Sequence, residues 1–336
     1  MSGALTVDDL DALLELADGW EPPPLARSTR VRLALAAARA CGLSAPPPVP
    51  QAELRPRGRR HSRERDARAV RHHYDLSNDF FALFLDSSMT YSCGFFLDGA
   101  DTLEAAQQAK LALVCKKLGL EPGQRVLDVG CGWGSFAIYA ATHHDVKVVG
   151  ITLSAPQAAL ARERVAELGL DDRVEIRVDD YRSYDGGAFD AVASIGMVEH
   201  VGSTQIDVYA QRLARLLRPG GRLLNHGIAR LRHGDPEAGA FSERYVFPDA
   251  APLHLSRVLA AFERGGLVVD HVEGFAEHYA TTLAHWSRRL EQRLPDAERL
   301  VGAERLRVWR LYLRAARRGF VKGFTSVYQV RARAPA

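Results

Sequence analysis

The chain has 336 residues, of which 47% are hydrophobic and 25% charged, and its net charge is +3. This length suits two average domains or one α/β domain with insertions, and the composition excludes disorder, collagen and coiled coil as descriptions of the whole chain. We find no run of 18 apolar residues and no basic-then-apolar leader, which predicts a soluble intracellular protein.

The first 50 residues carry two stretches with helical spacing of apolar residues. The first, DDLDALLELADGW, opens after Thr6, and the second, RVRLALAAARACGL, ends near Gly42. Proline groups interrupt them, so we predict short helices. We divide the chain into a short helical N-terminal region over 1–50, an Arg-rich linker over 51–70 and a main domain over 71–336.

The positive charge is concentrated in one segment. Between Arg55 and His73 eight arginines accompany only Glu64 and Asp66, so this segment carries +6 and the remainder of the chain −3. Such a cluster attracts polyanions, either a nucleic acid or an anionic membrane surface. The alternative is a solvated, partly disordered linker, because charge runs often form only exposed surface.

Strand-like and helical stretches alternate beyond residue 124. The strand candidates are RVLDV, VKVVGITL, VEIRVDD, FDAVASIGM and RLLNHGI. This alternation predicts an α/β fold with a parallel sheet, helices on both faces, and a ligand at the carboxyl ends of the strands. Two later strand candidates, LVVDHVEGF and SVYQVRAR, flank helical residues 277–322, which we interpret as an inserted cap.

The segment VLDVGCGWGS places Asp128, Gly130, Gly132 and Gly134 between a strand and a helix. Glycines in this position permit a tight turn and a close approach of ligand to backbone. The spacing is G-x-G-x-G rather than the dinucleotide pattern, and Thr152 stands where an NAD enzyme places an acidic residue. The loop resembles the first motif of class I methyltransferases that use S-adenosylmethionine (SAM); the alternative is a turn without a ligand.

Further strings make the resemblance specific. They are HYDLSNDFFALFLDSSMTYSCGFF (73–96), VVGITLSAPQ, GMVEHVG (196–202) and SVYQVRAR. From about residue 70 onward the chain resembles cyclopropane fatty acid synthases and their mycolic-acid and methyl-branching relatives. The resemblance implies a class I SAM-dependent methyltransferase fold over 71–336, with a mostly parallel seven-stranded sheet. It also implies transfer of a methyl group to the cis double bond of an unsaturated fatty acyl chain on a phospholipid.

The resemblance implies a set of residues that hold SAM. They are Tyr74, Tyr91, Ser92, Asp128, Gly130, Gly132, Thr152, Leu153, Gln157 and Tyr181. Arg182 follows Tyr181 where the mycolic-acid enzymes usually carry an acidic residue, so the adenine contact at that position is left open.

The resemblance also implies a bicarbonate ion beside the methyl group. The matching ligand positions are Cys93, Glu199, His226, Ile228 and Tyr279. Each residue alone has an ordinary alternative, such as core packing for Cys93. Their joint presence in the family's order favours an ion site, with the five residues as the catalytic group.

The chemistry of an alkene fits this assignment. Methyl transfer from SAM to a double bond leaves a carbocation, which a dry pocket with aromatic faces stabilises. Candidate aromatic residues are Phe80, Phe81, Phe84, Phe95, Phe96 and Trp286. Loss of a proton from the added methyl group to bicarbonate gives a cyclopropane, whereas loss from the chain gives a methylene branch. The sequence leaves the product open.

Other functions remain as alternatives. The same fold and chemistry could give a methyl-branched fatty acid, or methylate an isoprenoid or another small metabolite. A nucleic-acid methyltransferase is disfavoured, because GMVEHVG stands in place of an Asn/Asp-Pro-Pro-aromatic site. We therefore expect a cytoplasmic enzyme bound peripherally to the inner face of the membrane through its arginines, without nucleic acid or metal, and with a homodimer as an option.

The four cysteines, Cys41, Cys93, Cys115 and Cys131, form no CxxC pair. We expect reduced thiols rather than disulfides or a zinc site.

Overall fold

The computed structural model describes Gly3 and residues 6–21, 23–41, 49–54, 58–74, 76–96, 101–234 and 239–336. The helices within these ranges are α1 (Leu10–Gly19), α2 (Arg27–Cys41), α3 (Arg63–Tyr74), α4 (Asn78–Ala82), α5 (Leu103–Leu118), α6 (Ser135–His144), α7 (Ala155–Glu167), α8 (Ile206–Leu216), α9 (Ala240–Tyr245), α10 (Leu255–Arg264), α11 (Ala276–Glu291) and α12 (Leu294–Val321). The strands are β1 (Arg125–Val129), β2 (Lys147–Thr152), β3 (Val174–Val178), β4 (Phe189–Ile195), β5 (Leu217–Arg230), β6 (Val268–Gly274) and β7 (Thr325–Arg333).

The strands form one seven-stranded sheet in the order β3-β2-β1-β4-β5-β7-β6. The β1–β2, β1–β4, β2–β3 and β4–β5 pairs are parallel, whereas β7 runs antiparallel to both β5 and β6. The mostly parallel seven-stranded sheet predicted from the sequence is confirmed. Its strand order reverses between β1 and β4, and the carboxyl ends of strands at such a switch point form a ligand crevice.

Strand β1 shows how the sequence builds the two layers around the sheet. Successive side chains of a strand point to opposite faces. Leu127 and Val129 accordingly join one apolar cluster, and Val126 joins the other, which also contains Phe136 and Ala140 of α6. Because β1 is covered on both faces, its sequence is an almost unbroken apolar run.

A third apolar cluster lies outside the two layers. It joins Phe80 and Phe84 to Trp286 of α11 and Trp309 of α12, and all four are buried. Helices α11 and α12 pack against each other and occupy the segment predicted as a cap. The division of the chain into N-terminal region, linker and main domain stays a prediction.

The segment predicted as an Arg-rich linker differs from that expectation, because α3 begins at Arg63. Arg65 donates to Asp249, with Nη2 to Oδ1 at 2.7 Å, and Arg182 donates to Asp66 at 2.8 Å. Ala69 is buried. These ion pairs and the apolar side of the helix bind it to the main domain, so the arginine pattern here combines a folded helix with exposed charge.

The predicted N-terminal helices are present as α1 and α2. Asp9 caps α1 by accepting from the Ala12 N–H at 2.9 Å, and Asp11 pairs with Arg314 of α12 at 3.0 Å. Three cysteines, Cys93, Cys115 and Cys131, are free and buried, while the side chain of Cys41 lies outside the described part. Among the described residues no helix is long and apolar enough to cross a membrane.

Candidate active site

A cavity lies at the carboxyl ends of β1, β2, β3 and β4. Nine of the ten residues predicted to hold SAM line it. They are Tyr91, Ser92, Asp128, Gly130, Gly132, Thr152, Leu153, Gln157 and Tyr181. The exception is Tyr74, whose side chain lies outside the described part of the structure. The cavity has the position expected of a cofactor site in this fold.

Two glycines shape the turn between β1 and α6. Gly130 and Gly132 have φ values of +80° and +55°, in the left-handed region that favours glycine. A Cβ on Gly130 would lie 3.2 Å from Met197, whereas a Cβ on Gly132 would meet nothing closer than Gln157 Nε2 at 3.9 Å. Gly132 therefore leaves free space at the wall of the cavity, where a ligand can approach the backbone.

Buried charges of opposite sign line the cavity beside this turn. Asp128 is 2% exposed, and Lys110 on α5 is 1% exposed. Burial raises the pKa of Asp128 to about 7, against the opposing effect of Lys110. Burial lowers the pKa of Lys110 to about 8. Lys110 was not among the residues predicted from the sequence, although its spacing from Leu103 and Val114 places it on the buried face of α5.

The predicted Thr152 and Gln157 bond to each other at the next strand end. The Thr152 hydroxyl donates to Gln157 Oε1 at 3.0 Å and accepts from the Ser154 N–H at 3.2 Å. Ser154 also caps α7. The bonds fix both cavity-lining side chains.

The third strand end contributes Tyr181 and Arg182. Both line the cavity, and the Arg182 guanidinium donates to Asp180 and to Asp66 of α3. Asp66 and Val70 also line the cavity, so α3 forms one of its walls. Neither residue was predicted from the sequence. The available signal was Asp66, an acidic residue within the arginine-rich segment.

Glu199 is held by the backbone of β5. It lies in a 3₁₀ turn, Val198–His200, beyond the end of β4, where Ile228 N–H has no β4 residue opposite it. Glu199 Oε1 accepts that N–H at 2.7 Å. Burial raises the pKa of Glu199 to about 7. Within the described residues Glu199 Oε2 has no hydrogen-bond partner.

His226 lies two residues before Ile228 on β5. Its Nδ1 is 3.2 Å from the side-chain nitrogen of Gln329 on β7. Because that amide nitrogen donates, Nδ1 accepts and Nε2 carries the hydrogen. Burial lowers the pKa of His226 to about 3, so the ring is neutral. Among the described groups Nε2 has no partner.

Phe275 links the other predicted catalytic residues. Its carbonyl oxygen accepts from Cys93 Sγ at 3.8 Å, and its ring lies 6.3 Å from that of His226. Cys93, Ile228 and Tyr279 belong to the same apolar cluster as Phe275. Burial raises the pKa of Cys93, which keeps the thiol protonated.

The structure therefore joins Glu199 to Ile228, brings Cys93 and His226 to Phe275, and places Ile228 and Tyr279 in the same apolar cluster. None of them lines the cofactor cavity, but Met197 and His200, on either side of Glu199 in sequence, do. The five residues lie beside the cavity rather than within its wall. Phe275 and Gln329 were not predicted, because strand pairing and packing bring them to the site from distant parts of the sequence.

Comparison with known proteins agrees with this fold. A family model described as mycolic acid cyclopropane synthetase matches residues 61–330. The chain is 45% identical over 289 residues to a Pseudomonas putida protein named "Probable fatty acid methyltransferase", covering 84% of this chain and 73% of that protein. It is 40% identical over 258 residues to the cyclopropane-fatty-acyl-phospholipid synthase of Escherichia coli K12, covering 77% and 65%.

Solved structures give the same result. The cyclopropane synthase MmaA2 from Mycobacterium tuberculosis has a TM-score of 0.76 and 33% identity, covering 80% of this chain and 98% of that one. The mycolic acid cyclopropane synthase CmaA1, solved in complex with SAH and CTAB, has a TM-score of 0.75 and 34% identity, with the same coverage.

Fold and relatives together define a SAM-dependent methyltransferase. Within that class, the chain belongs to the mycolic acid cyclopropane synthetase family, which includes the cyclopropane-fatty-acyl-phospholipid synthases. The resemblance read from the sequence is confirmed. Methylation or cyclopropanation of fatty acids is the activity that the family supports.

Proposed function

We propose that this enzyme methylates the cis double bond of an unsaturated fatty acyl chain carried by a phospholipid, and that the product is a cyclopropane. The observation that carries the proposal is the pair of unpartnered buried atoms beside the cofactor cavity, Glu199 Oε2 and His226 Nε2. Glu199 Oε2 is able to accept a hydrogen bond and His226 Nε2 is able to donate one, in apolar surroundings. This pair suits a small ion with both a hydroxyl and a charged oxygen.

Bicarbonate fits these residues. Glu199 Oε2 would accept from its hydroxyl group and His226 Nε2 would donate to one of its oxygens, with Cys93 and Tyr279 packed alongside. When bound there, bicarbonate would supply a proton acceptor beside the methyl group. The neutral His226 and the thiol of Cys93 are poor bases in this site, which supports an added acceptor.

The aromatic cluster supports a cationic reaction path. Tyr91 lines the cavity, and its ring lies 5.1 Å from Trp286, while Phe81 lies 5.4 Å from Tyr91. Transfer breaks the sulfur–methyl bond and forms a carbon–carbon bond, so the positive charge moves to the acyl chain. Aromatic faces stabilise such a cation and exclude water that would add to it. Loss of a proton from the new methyl group then closes the ring.

Lipid analysis tests the product. In a host that lacks this activity, expression should convert monounsaturated phospholipid chains into species heavier by one CH2, and fragmentation should locate a cyclopropane at the former double bond. Mass spectrometry of extracted lipids measures both. The matched control is Glu199→Gln expressed at the same level. A methylene or methyl branch would contradict the ring product while keeping the methyltransferase.

The branched product is the second candidate. It is favoured by the names of two relatives, the Pseudomonas putida protein already described and the tuberculostearic acid methyltransferase UfaA1 of Mycobacterium tuberculosis, 37% identical over 288 residues. An isoprenoid or another small metabolite as substrate would leave the lipids of the host unchanged.

We propose further that exposed arginines bind the enzyme to an anionic membrane surface at the inner face of the cell membrane. Arg59, Arg63 and Arg68 are exposed, whereas Arg65 pairs with the buried Asp249. Each basic residue near an anionic bilayer contributes on the order of 1 kcal/mol and is screened by salt. Among the arginines of the segment that the structure describes, we assign the membrane contact to these first three.

Liposome flotation measures this adsorption. The triple variant Arg59→Gln, Arg63→Gln, Arg68→Gln should lose most of its binding to vesicles containing anionic lipid at low salt, by roughly a hundredfold for about 3 kcal/mol. Arg65→Gln is the control for lost charge at a paired site and should float like the wild type if folded. Salt-independent flotation, or retention by the triple variant, would contradict the proposal.

A further inference from the structure

Lys110 is a buried ammonium group at the wall of the cofactor cavity. Its Nζ donates to Ser92 Oγ at 3.0 Å. Among the described residues it forms no ion pair with a carboxylate, although the buried Asp86, from a greater distance, opposes the fall in its pKa that burial causes. An ammonium group has three donors. Two of them therefore remain for a ligand, and a buried cation with no anion in direct contact is costly to the folded protein. A buried positive charge that lowers stability in this way is best explained by a ligand group of opposite charge that binds to it.

Asp128 lines the same cavity and carries the opposite charge when ionised. Its Oδ2 has no hydrogen-bond partner among the described residues. Burial raises the pKa of Asp128 and Lys110 opposes that rise. Burial lowers the pKa of Lys110, and Asp86, Cys93 and Asp128 oppose that fall, in decreasing order. The cavity thus presents one donor cation and one acceptor anion near the glycine turn. This pair complements an α-amino acid, which carries a carboxylate and an ammonium on one carbon.

We propose that Lys110 binds the α-carboxylate of the methionine portion of SAM, with Asp128 facing its α-ammonium. The inference rests on the proposed cofactor site and adds a binding residue to it. It also gives Ser92 a defined place, because the hydroxyl that accepts from Lys110 can itself donate to the same carboxylate.

Holding the loop that contains Ser92 does not by itself explain why residue 110 is a lysine. Gln107, one turn earlier on α5, already holds that loop, since its Nε2 donates to the backbone oxygen of Ser92 at 2.8 Å. An apolar side chain would fill the space of Lys110 without the cost of a buried charge. The charge itself is thus the property that the site uses.

The test compares ligands that differ by one group. Calorimetric titration of the full-length wild type should give about ten- to a hundredfold tighter binding of SAM than of decarboxylated SAM, as expected for a charged hydrogen bond. In Lys110→Met, SAM affinity should fall by about the same factor, while affinity for decarboxylated SAM should change by less than about threefold. The preference for the carboxylate should disappear.

Two variants serve as controls. Lys117→Met removes another buried ammonium from α5, one that pairs with Glu273 and does not line the cavity, and it should keep the wild-type preference. Ser92→Ala should keep most of the preference for SAM over decarboxylated SAM, because the Lys110 ammonium remains. If Lys110→Met weakened both ligands equally, or if Ser92→Ala abolished the preference, Lys110 would act only on the loop and the proposal would be wrong.

The wild-type titrations keep the test independent of how the variants fold. Equal affinity of wild type for SAM and decarboxylated SAM would by itself overturn the role of Lys110. Binding of 5′-methylthioadenosine, which lacks the amino-acid end, separates this result from a failure of the site: if wild type bound none of the three ligands, the cofactor site itself would be misplaced.

Discussion

Glu199→Gln should reduce turnover by about 10²- to 10³-fold while leaving SAM affinity within about twofold of the wild type. Glutamine keeps an oxygen for the Ile228 N–H, so the backbone bond survives. It replaces the unpartnered Oε2 acceptor with a donor, which cannot accept from the hydroxyl of an ion. Positioned proton acceptors contribute about 10²- to 10⁴-fold to rate, which sets the expected loss.

Steady-state kinetics with monounsaturated phospholipid vesicles measures the effect. If Glu199 and His226 hold one ion, the double variant Glu199→Gln, His226→Gln should be only slightly worse than either single variant, because groups that act as a unit are not additive. Bicarbonate depletion should slow the wild type far more than Glu199→Gln. Full turnover in Glu199→Gln, together with insensitivity to depletion, would reject the ion site and make Tyr279 the next candidate.

The same substitution has a second readout in stability. The pKa of Glu199 is about 7 in the folded protein and near 4.5 unfolded, so the folded state binds the extra proton between these values. Stability from this group is therefore lost as pH rises from about 4.5 to 7, by on the order of 3 kcal/mol. Glu199→Gln should unfold at a higher temperature than wild type at pH 8, and the difference should shrink at pH 5.5.

Gly132→Val should weaken SAM binding by about a hundredfold or more, equivalent to about 2.7 kcal/mol. The Cβ position of Gly132 is open, with nothing closer than 3.9 Å, so a valine side chain enters space that a ligand would use. Its φ of +55° also strains a β-branched residue. Calorimetric titration with SAM measures the loss.

Gly169→Val is the matched control for backbone strain. Gly169 has a φ of +64° and no atom within 4 Å of its Cβ position, and it lies outside the cavity wall. Both variants should lose comparable thermal stability, but only Gly132→Val should lose SAM. Similar losses of SAM affinity in the two variants would attribute the effect to instability and remove the glycine turn from the cofactor site.

The sheet could be predicted from the sequence because its signals are local. Each strand is a short apolar run, and the run RVLDV followed by alternating glycines marks β1 and its turn before any packing is known. Residues 63–74 were harder. Their composition predicts a charged linker, and only the distant partners Asp249 and Arg182 show that the segment is a packed helix.

The residues of the candidate site likewise fall into two groups, those with a local sequence signal and those without one. Motif strings predicted the cavity residues from Tyr91 to Tyr181, since ligand-contacting turns lie at strand ends. Lys110 and Phe275 carry no motif of their own. A lysine on an otherwise apolar helix face is a weak signal, and Phe275 acquires its role only when β7 and α11 bring it beside Cys93 and His226.

The hydrogen bond from the Ile228 N–H to Glu199 orients the Glu199 side chain before any substrate binds. A glutamate side chain free in solution explores many rotamers, and ordering it for each turnover would cost free energy. Here the sheet has ordered it during folding, with one oxygen anchored and the other left available. Glu199 Oε2 therefore needs no rearrangement when substrate binds. The free energy required to orient the Glu199 side chain lowers the stability of the folded protein and does not slow the reaction.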